Sequence, residues 1–253
     1  MKKLLNNIRI SLQSLYREVF PRYCPICGCR LSIGEWCLCP SCTEKLPRTN
    51  YYGRKENPTE RRFVILGPRF KRASSFLFYS HDVPFSRIYT AFKYNGDAHM
   101  AVQMGRLMAL DLSESDFLNT VDCIVPIPLT RMRKLHRGYN QSEMLARGFS
   151  SVTGLPVVVD AVVRCHFHQS QTHLRGEARE KNVGDAFALV DASLIAGKHV
   201  LLVDDIITNG STMRACAKEV LKAEGTTVSI LSLGTSMLRY NWEFPKYFHV
   251  WDV

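Results

Sequence analysis

Residues 200–212 read VLLVDDIITNGST, and this stretch decides the fold. Its first four residues, Val200 to Val203, form an apolar run of the kind found in parallel strands that are buried on both faces. Two carboxylates follow, Asp204 and Asp205. The polar loop after them leads into the helical pattern MRACAKEVLKA and comprises Thr208, Asn209, Gly210, Ser211 and Thr212. The stretch therefore predicts a strand, a short loop and a helix, the repeating unit of an α/β protein.

The chemistry of this stretch indicates a ligand site, because ligands of parallel sheets bind at the carboxyl ends of the strands. Asp204 and Asp205 can accept hydrogen bonds from hydroxyls or hold a divalent cation. The free N–H groups of a helix N-terminus seat a phosphate, and Gly210 lets the backbone close around that anion. Ser211 or Thr212 is predicted to cap the helix. These features together favour a ligand such as ribose 5-phosphate, with adjacent hydroxyls and one terminal phosphate.

The stretch has two other interpretations. An ordinary strand-to-helix turn with a pair of surface aspartates remains open. A Walker-type nucleotide site is disfavoured, because the chain has no GxxxxGK[ST] motif.

The rest of the chain alternates strand-like and helical patterns, which predicts a mostly parallel sheet with right-handed crossovers and helices on both faces. The predicted strands are SSFLFYS (74–80), VDCIVPIP (121–128), LPVVVDAVV (155–163), KHVLLVDD (198–205) and TTVSILSL (226–233). The predicted helices are PFSRIYTAFKY (84–94), HMAVQMGRLMALDL (99–112), NQSEMLARGFSSVTG (140–154) and STMRACAKEVLKAEG (211–225).

Six of the nine cysteines lie between residues 24 and 42. Cys24 and Cys27 form one CxxC turn, and Cys39 and Cys42 form a second after eleven intervening residues. Two such turns can direct four thiolates at one tetrahedral ion, which predicts a structural zinc ribbon. A redox CxxC is the alternative, although a single redox motif would not explain two paired turns. Cys29 and Cys37 are expected to be either donors beside the metal site or small core residues.

Charge and hydropathy restrict the class of protein further. The formal net charge is +10, which favours a polyanionic partner, with a generally basic surface as the alternative. No apolar stretch reaches the roughly 20 residues of a membrane span. The apolar residues of segment 1–20 recur at helical spacing and predict a packed amphipathic helix rather than a signal peptide. We therefore expect a cytoplasmic protein, in whose reducing environment clustered cysteines indicate metal.

Two segments outside the sheet pattern are basic. Residues 48–62 have no apolar periodicity and predict a linker or surface excursion. We accordingly expect a first unit over 1–60, with the N-terminal helix, the zinc ribbon and the linker, and a second unit over 61–253. After the VPIP strand end, positive charge is concentrated in Arg131, Arg133, Lys134 and Arg137. That charge could receive a pyrophosphate or a nucleic-acid backbone, or it is a solvated basic loop.

Several motifs now support a resemblance. VLLVDDIITNGST resembles the phosphoribosyl pyrophosphate (PRPP) motif of type I phosphoribosyltransferases, although Asn209 stands where many members have Thr. The segments VFPRYCPICG, LCPSCTEKLP, AFKYNGD, VPIPLTRMRKLHRGYNQSEMLA and QTHLRGEAREKNVGDAF resemble, in the same order, the ComF family. The resemblance covers about residues 19–235 and implies a zinc ribbon joined to a type I phosphoribosyltransferase-like domain. The chain departs from the family in its additional Cys29 and Cys37, and residues 48–75 lack further cysteines that some members carry.

The resemblance assigns expected roles to individual residues. Asp204 and Asp205 would meet the ribose 2′ and 3′ hydroxyls, and residues 208–212 would hold the 5-phosphate. The polar segment HFHQSQTHLRGEAREKNVGDAF (166–187) would be a flap over bound PRPP. Its expected phosphate contacts are Arg175, Arg179 and Lys181.

The resemblance also implies a function in natural competence, where single-stranded DNA enters the cytoplasm. We expect a PRPP-binding protein that serves DNA uptake, with structural zinc, magnesium bound together with PRPP, and other DNA-uptake proteins as partners. An active magnesium-dependent phosphoribosyltransferase of nucleotide metabolism and a PRPP-sensing regulator without turnover are the alternatives. Four aromatic residues are candidates for base stacking, although such residues more often belong to a core: Tyr51, Tyr52, Tyr139 and Phe149.

Overall fold

The structure is a computed structural model and describes residues 21–80, 83–94, 96–165 and 186–236. The predicted N-terminal helix and residues 166–185 of the predicted flap lie outside these residues. None of the described helices is long and apolar enough to cross a membrane.

A parallel sheet of four strands organises the described chain. Its strands are β1 (Phe70–Tyr79), β2 (Cys123–Pro126), β5 (His199–Ile207) and β6 (Thr227–Ser236). Their spatial order is β1-β6-β5-β2, and every neighbouring pair is parallel. The carboxyl ends of all four strands therefore lie along one edge, as the alternating sequence pattern predicts.

A small antiparallel ribbon differs from the prediction. It consists of β3 (Val162–Arg164) and β4 (Phe187–Leu189). The apolar segment 155–163 was predicted as a full strand, but it contributes one parallel bridge from Val157 to Ile124 before β3 begins. Apolar composition marked this segment as buried without specifying whether its backbone continues the main sheet.

Seven α-helices surround these strands in the described residues. They are α1 (Pro40–Glu44), α2 (Pro58–Arg61), α3 (Ser86–Tyr94), α4 (Ala98–Leu112), α5 (Arg131–Arg137), α6 (Gln141–Thr153) and α7 (Ser211–Val220). The helix α7 ends before the predicted Gly225, and α5 was not predicted as a helix. Thr130 caps α5 by accepting from the Arg133 N–H, and Gly138 ends it in the left-handed conformation.

The sheet separates two apolar layers, because successive residues of a strand face opposite sides. Leu201 and Val203 of β5 pack with α3, α4, α6 and the cysteine-rich segment. Val200 and Leu202 pack instead with α7 and the small antiparallel ribbon. The cysteine-rich segment therefore shares one core with the helices on its side of the sheet.

Two glycines bring α4 and α6 into backbone contact. A Cβ at Gly105 would lie 2.1 Å from the carbonyl oxygen of Leu145, and one at Gly148 would lie 1.9 Å from that of Val102. Neither position has room for a side chain, so the two helices pack at the closest distance that their backbones allow.

The predicted linker is in fact packed against β1. Asn57 and Thr59 are buried, and the Asn57 amide donates to the carbonyl of Ala73 at 2.8 Å. Buried Glu60 pairs with Arg72 of β1 at 2.8 Å. The expectation of a surface excursion is therefore wrong for this part, because its polar side chains bond to the sheet rather than to water. The boundary near residue 60 remains a prediction.

Candidate phosphoribosyl site

Asp204 lies inside β5 rather than beyond its end, since the strand continues to Ile207. Its Oδ1 accepts a hydrogen bond from the Ser142 hydroxyl at 2.8 Å and another from the Asp205 N–H at 2.8 Å. Burial, and next the neighbouring Asp205 charge, raise the pKa of Asp204 to about 7. A carboxylate held at this position can accept a ligand hydroxyl, and it releases a proton near neutral pH.

Asp205 has a different environment from Asp204. Its Oδ2 lies 2.8 Å from Lys93 Nζ, and its Oδ1 accepts from the Ile206 N–H at 2.6 Å. The buried Tyr89 hydroxyl has no hydrogen-bond partner among the described residues, and burial together with the Asp205 charge raises its pKa. The two carboxylates therefore have different partners: Asp205 is paired with the Lys93 cation, and Asp204 accepts from the Ser142 hydroxyl.

The loop after β5 has the geometry of an anion seat, with one correction to the predicted cap. Gly210, at φ +78°, is the N-cap of α7, whereas Ser211 is already helical. The Asn209 side chain accepts from the Ser211 N–H at 3.0 Å. The N–H groups of Asn209, Gly210 and Thr212 have no bonded partner in the part of the chain that the structure describes. These groups can donate to a phosphate.

Two arginines lie behind this loop and were not predicted. Arg62 donates to the carbonyl of Thr208 at 2.7 Å, and Arg214 donates to that of Asn209 at 2.9 Å. The Phe63 ring would lie 3.1 Å from a Cβ at Gly210, so the loop also rests on an apolar support.

The basic residues after β2 lie on α5, near the same edge of the sheet. Pro126 pairs with Val203, immediately before Asp204. Arg131, Arg133 and Lys134 are exposed and Arg137 is half-buried, and Lys134 lies 3.7 Å from Glu143.

Arg164 of β3 is half-buried near the site. Burial lowers the pKa of Arg164, with a further contribution from the Arg133 charge, whereas the Asp204 charge acts in the opposite direction. Arg164 therefore lies within electrostatic range of both Arg133 and Asp204. Arg164 is an additional cation that sequence reasoning missed.

The aromatic residues expected to stack on bases lie in different environments. Phe149 is fully buried in the core, so its proposed stacking role is wrong. Tyr51, Tyr52 and Tyr139 are half-buried, and the Tyr139 hydroxyl donates to the Phe92 carbonyl. The predicted flap contacts Arg175, Arg179 and Lys181 lie outside the described residues.

The four predicted cysteine ligands converge. The sulfur atoms of Cys24, Cys27, Cys39 and Cys42 all lie within 4.8 Å of one another, and those of Cys27 and Cys39 are 3.7 Å apart. A tetrahedral zinc site with Zn–S bonds of about 2.3 Å requires sulfur atoms roughly 3.8 Å apart. The cluster could therefore bind a metal, and its donor set fits zinc.

The local backbone explains this convergence. Gly28, at φ +74°, donates its N–H to the Cys24 carbonyl at 2.8 Å and closes the first turn. The Cys42 N–H points at Cys39 Sγ at 3.5 Å in the second turn. A backbone hydrogen bond from Cys29 is the main cause that lowers the pKa of Cys27 to about 6. A thiolate is the form of cysteine that binds metal.

The two additional cysteines of the cysteine-rich segment have the two expected environments, one in the core and one beside the metal site. Cys37 is a buried core residue. Cys29 is exposed, and its thiol hydrogen-bonds to Cys27 and Cys39. It therefore lies beside the cluster of four without being a member.

Sequence reasoning missed the residues that surround the carboxylates. Lys93 and Ser142 lie in the segments AFKYNGD and RGYNQSEMLA, so their place in these motifs was an available signal. Arg62 gave no such signal, because it was one basic residue in a segment without periodicity.

Comparison with known proteins is consistent with this geometry. Residues 135–253 match the family model of the phosphoribosyl transferase domain. DNA utilization protein YhgH of Shigella flexneri is 26% identical over 84% of this chain and 96% of its own length. Competence protein F of Haemophilus influenzae is 28% identical over 77% of this chain and 83% of its own. A glutamine PRPP amidotransferase structure from B. subtilis has a TM-score of 0.38 and 20% identity, over 55% of this chain and 26% of the other.

The parallel sheet, the two carboxylates of β5 and the domain match define the phosphoribosyltransferase class of fold. The relatives match over most of the chain, and they confirm the resemblance to the ComF family. The chain is accordingly similar to competence protein F over most of its length, and its residues 135–253 match the phosphoribosyl transferase domain.

Proposed function

We propose that the protein binds PRPP, or a related ribose 5-phosphate ester, at the carboxyl end of β5. The observation that carries this proposal is the position of the unbonded loop N–H groups, which follow the two carboxylates of β5 within a few residues. A phosphate on the loop would bring the ribose hydroxyls toward Asp204 and Asp205. Arg133 and Arg164 supply positive charge on the β2 side, where a pyrophosphate group would lie.

Magnesium is the cation that this site would take together with PRPP. Carboxylate and phosphate oxygens are the ligands that magnesium prefers in proteins. Asp204 and Asp205 offer such oxygens, with Lys93 at one of them. In the same proposal the four-cysteine cluster holds zinc and stabilises the ribbon.

The biological role that we propose is the handling of single-stranded DNA during uptake into the cytoplasm. The names of the relatives, competence protein F and DNA utilization protein, support this role. The exposed cations of α5 and the net charge of +10 are suited to a polyanionic backbone. Other proteins of DNA uptake would then be its partners.

Calorimetric titration with PRPP and magnesium tests the ligand site. The wild type is compared with an Asp204→Asn/Asp205→Asn variant and with Asp160→Asn, which changes an exposed carboxylate elsewhere. We expect binding by the wild type and the control, and at least tenfold weaker binding by the double variant. Absence of binding, or equal binding by all three proteins, would contradict the proposal. Release of pyrophosphate in the presence of a nucleobase would identify an active transferase instead.

Anisotropy of a labelled oligothymidine at two salt concentrations tests DNA binding. Loss of two phosphate contacts should make the slope of log K against log salt less steep by about 1.4, at roughly 0.7 per contact on a single strand. We expect that change for Arg131→Gln/Arg133→Gln. The matched control is Arg54→Gln/Lys55→Gln, an exposed basic pair away from α5. Equal slopes for all variants would exclude α5 as the DNA contact.

A further inference from the structure

Arg62 binds the ends of two strands at once. Its guanidinium donates to the Thr208 carbonyl at 2.7 Å, the Thr235 hydroxyl at 2.9 Å and the Ser236 carbonyl at 3.3 Å. The side chain is half-buried, and burial, together with the Arg214 charge, lowers its pKa. This arginine therefore joins the carboxyl ends of β5 and β6 directly behind the phosphate loop.

Arg214 completes the support from the helix side. Its Nη1 donates to the carbonyls of Asn209 at 2.9 Å and Arg62 at 3.2 Å. Each peptide unit has its N–H opposite its carbonyl. Because the carbonyls of Thr208 and Asn209 are bound from behind, the N–H groups of Asn209 and Gly210 are directed away from the two guanidinium groups.

The segment that carries Arg62 is rigidly attached to the sheet. The Thr59 hydroxyl lies 3.1 Å from that of Ser75, which accepts from Ser232 of β6 at 2.8 Å. Glu60 accepts from Arg72 and from the Ala73 N–H. Arg62 is thus held by bonds to β1 while its guanidinium holds the loop, so its position is fixed independently of any ligand.

We propose that Arg62 is a positioning residue for the 5-phosphate, acting through the loop rather than by contact with the ligand. It fixes the orientation of the Thr208–Asn209 peptide and places a permanent positive charge behind the donors. This inference rests on the proposed function, since it requires a phosphate on the loop. Through Arg62, the segment between the cysteine-rich segment and β1 takes part in ligand binding.

Titration with ribose 5-phosphate, which has neither pyrophosphate nor nucleobase, isolates this effect. Arg62→Met removes the charge and the hydrogen bonds, and Arg61→Met is the control because Arg61 is its exposed neighbour. We expect at least tenfold weaker binding by Arg62→Met at pH 7.5 and less than a twofold change in the control.

The pH dependence separates an electrostatic role from loosened structure. The second pKa of a phosphate monoester is about 6, so its charge increases between pH 5 and pH 7.5. The ratio of the Kd of Arg62→Met to that of the wild type should increase at least threefold over this range. A purely structural role would give the same Kd ratio at both pH values. Because Asp204 titrates in the wild type and in the variant alike, its titration does not change this ratio.

Arg62→Lys keeps the proposal testable if the Met variant does not fold. It retains the charge without the planar set of donors. We expect Arg62→Lys to bind ribose 5-phosphate more weakly than the wild type. The ratio of its Kd to that of the wild type should change less than twofold between pH 5 and pH 7.5. Wild-type affinity in Arg62→Met or Arg62→Lys would overturn the inference and leave the proposed function intact. A wild type that binds neither ribose 5-phosphate nor PRPP with magnesium would overturn both, whereas one that binds only PRPP would overturn this inference alone.

Discussion

Lys93 Nζ lies 2.8 Å from Asp205 Oδ2, and the two side chains are only 20% and 18% exposed. Lys93 belongs to α3, whereas Asp205 belongs to β5. The ion pair therefore attaches a helix of one apolar layer to the strand that carries the candidate ligand site.

Removal of one partner should cost more stability than removal of both. Lys93→Met leaves a largely buried carboxylate without its cation, and we expect the free energy of unfolding to fall by about 2 kcal/mol. Lys93→Met/Asp205→Asn should recover at least half of that loss. Urea denaturation of the wild type, both single variants and the double variant measures the coupling. Strictly additive effects would show that the pair contributes nothing.

The raised pKa of Asp204 predicts a pH-dependent stability. Because its pKa rises from 3.8 in the unfolded chain to about 7 in the folded one, the folded chain retains a proton that the unfolded chain releases. The corresponding stability is complete below pH 4 and is lost as the pH rises through 7.

Asp204→Asn isolates that titration. The amide oxygen can still accept from Ser142 and from the Asp205 N–H, but the side chain no longer ionises. Between pH 5 and pH 8 we expect the wild type to lose roughly 2 kcal/mol more unfolding free energy than the variant. Denaturant unfolding at both pH values is the measurement, with Asp160→Asn as a control that should follow the wild type. Parallel pH profiles for wild type and Asp204→Asn would contradict the assignment.

Gly210 should tolerate a side chain less well than another glycine with the same backbone angle. Both Gly210 and Gly154 have φ above +70°, but a Cβ at Gly210 would meet the Phe63 ring at 3.1 Å, whereas nothing lies within 4 Å of one at Gly154. Gly154→Ala should cost about 1 kcal/mol from backbone strain alone. Gly210→Ala should cost more and should also weaken ribose 5-phosphate binding at least tenfold. Equal stability losses with unchanged affinity would show that this loop is not the phosphate seat.

The cysteine cluster predicts which thiols are needed for metal. Cys39→Ser should lose bound zinc and lower the Tm, because structural zinc contributes directly to folding. Cys29→Ser should retain one zinc ion per chain, since Cys29 lies beside the four converging sulfur atoms. Elemental analysis and thermal unfolding of both variants provide the measurement. Zinc retained by Cys39→Ser, or lost from Cys29→Ser, would redefine the ligand set.

The sequence predicts the elements of the fold better than their connections. The apolar run 200–203 and the double CxxC are local patterns, and the structure has a buried strand and converging sulfur atoms at these positions. The segment around Asn57 and Glu60 reads as polar surface, because its partners Ala73 and Arg72 lie on a strand that meets it only after folding. Composition alone does not distinguish a polar group in water from one bonded to a sheet.

The same distinction applies to the candidate site. Carboxylates and a polar loop with a glycine can be recognised from residue type and spacing. The residues that neutralise or support them, Lys93 and Arg62, lie more than 100 positions earlier in the chain. Their roles depend on the strand order β1-β6-β5-β2, which local sequence patterns do not specify.

Gly105 and Gly148 hold the backbones of α4 and α6 against each other. The helix α4 faces the cysteine-rich segment, and its Gln103 and Arg106 line a cavity of about 570 Å³ together with Trp36. The helix α6 begins beside Asp204, which accepts a hydrogen bond from Ser142. With backbone against backbone at two points, neither helix can slide or turn without collision. We therefore expect the helix beside the four-cysteine cluster and the helix beside Asp204 to move only as one rigid unit.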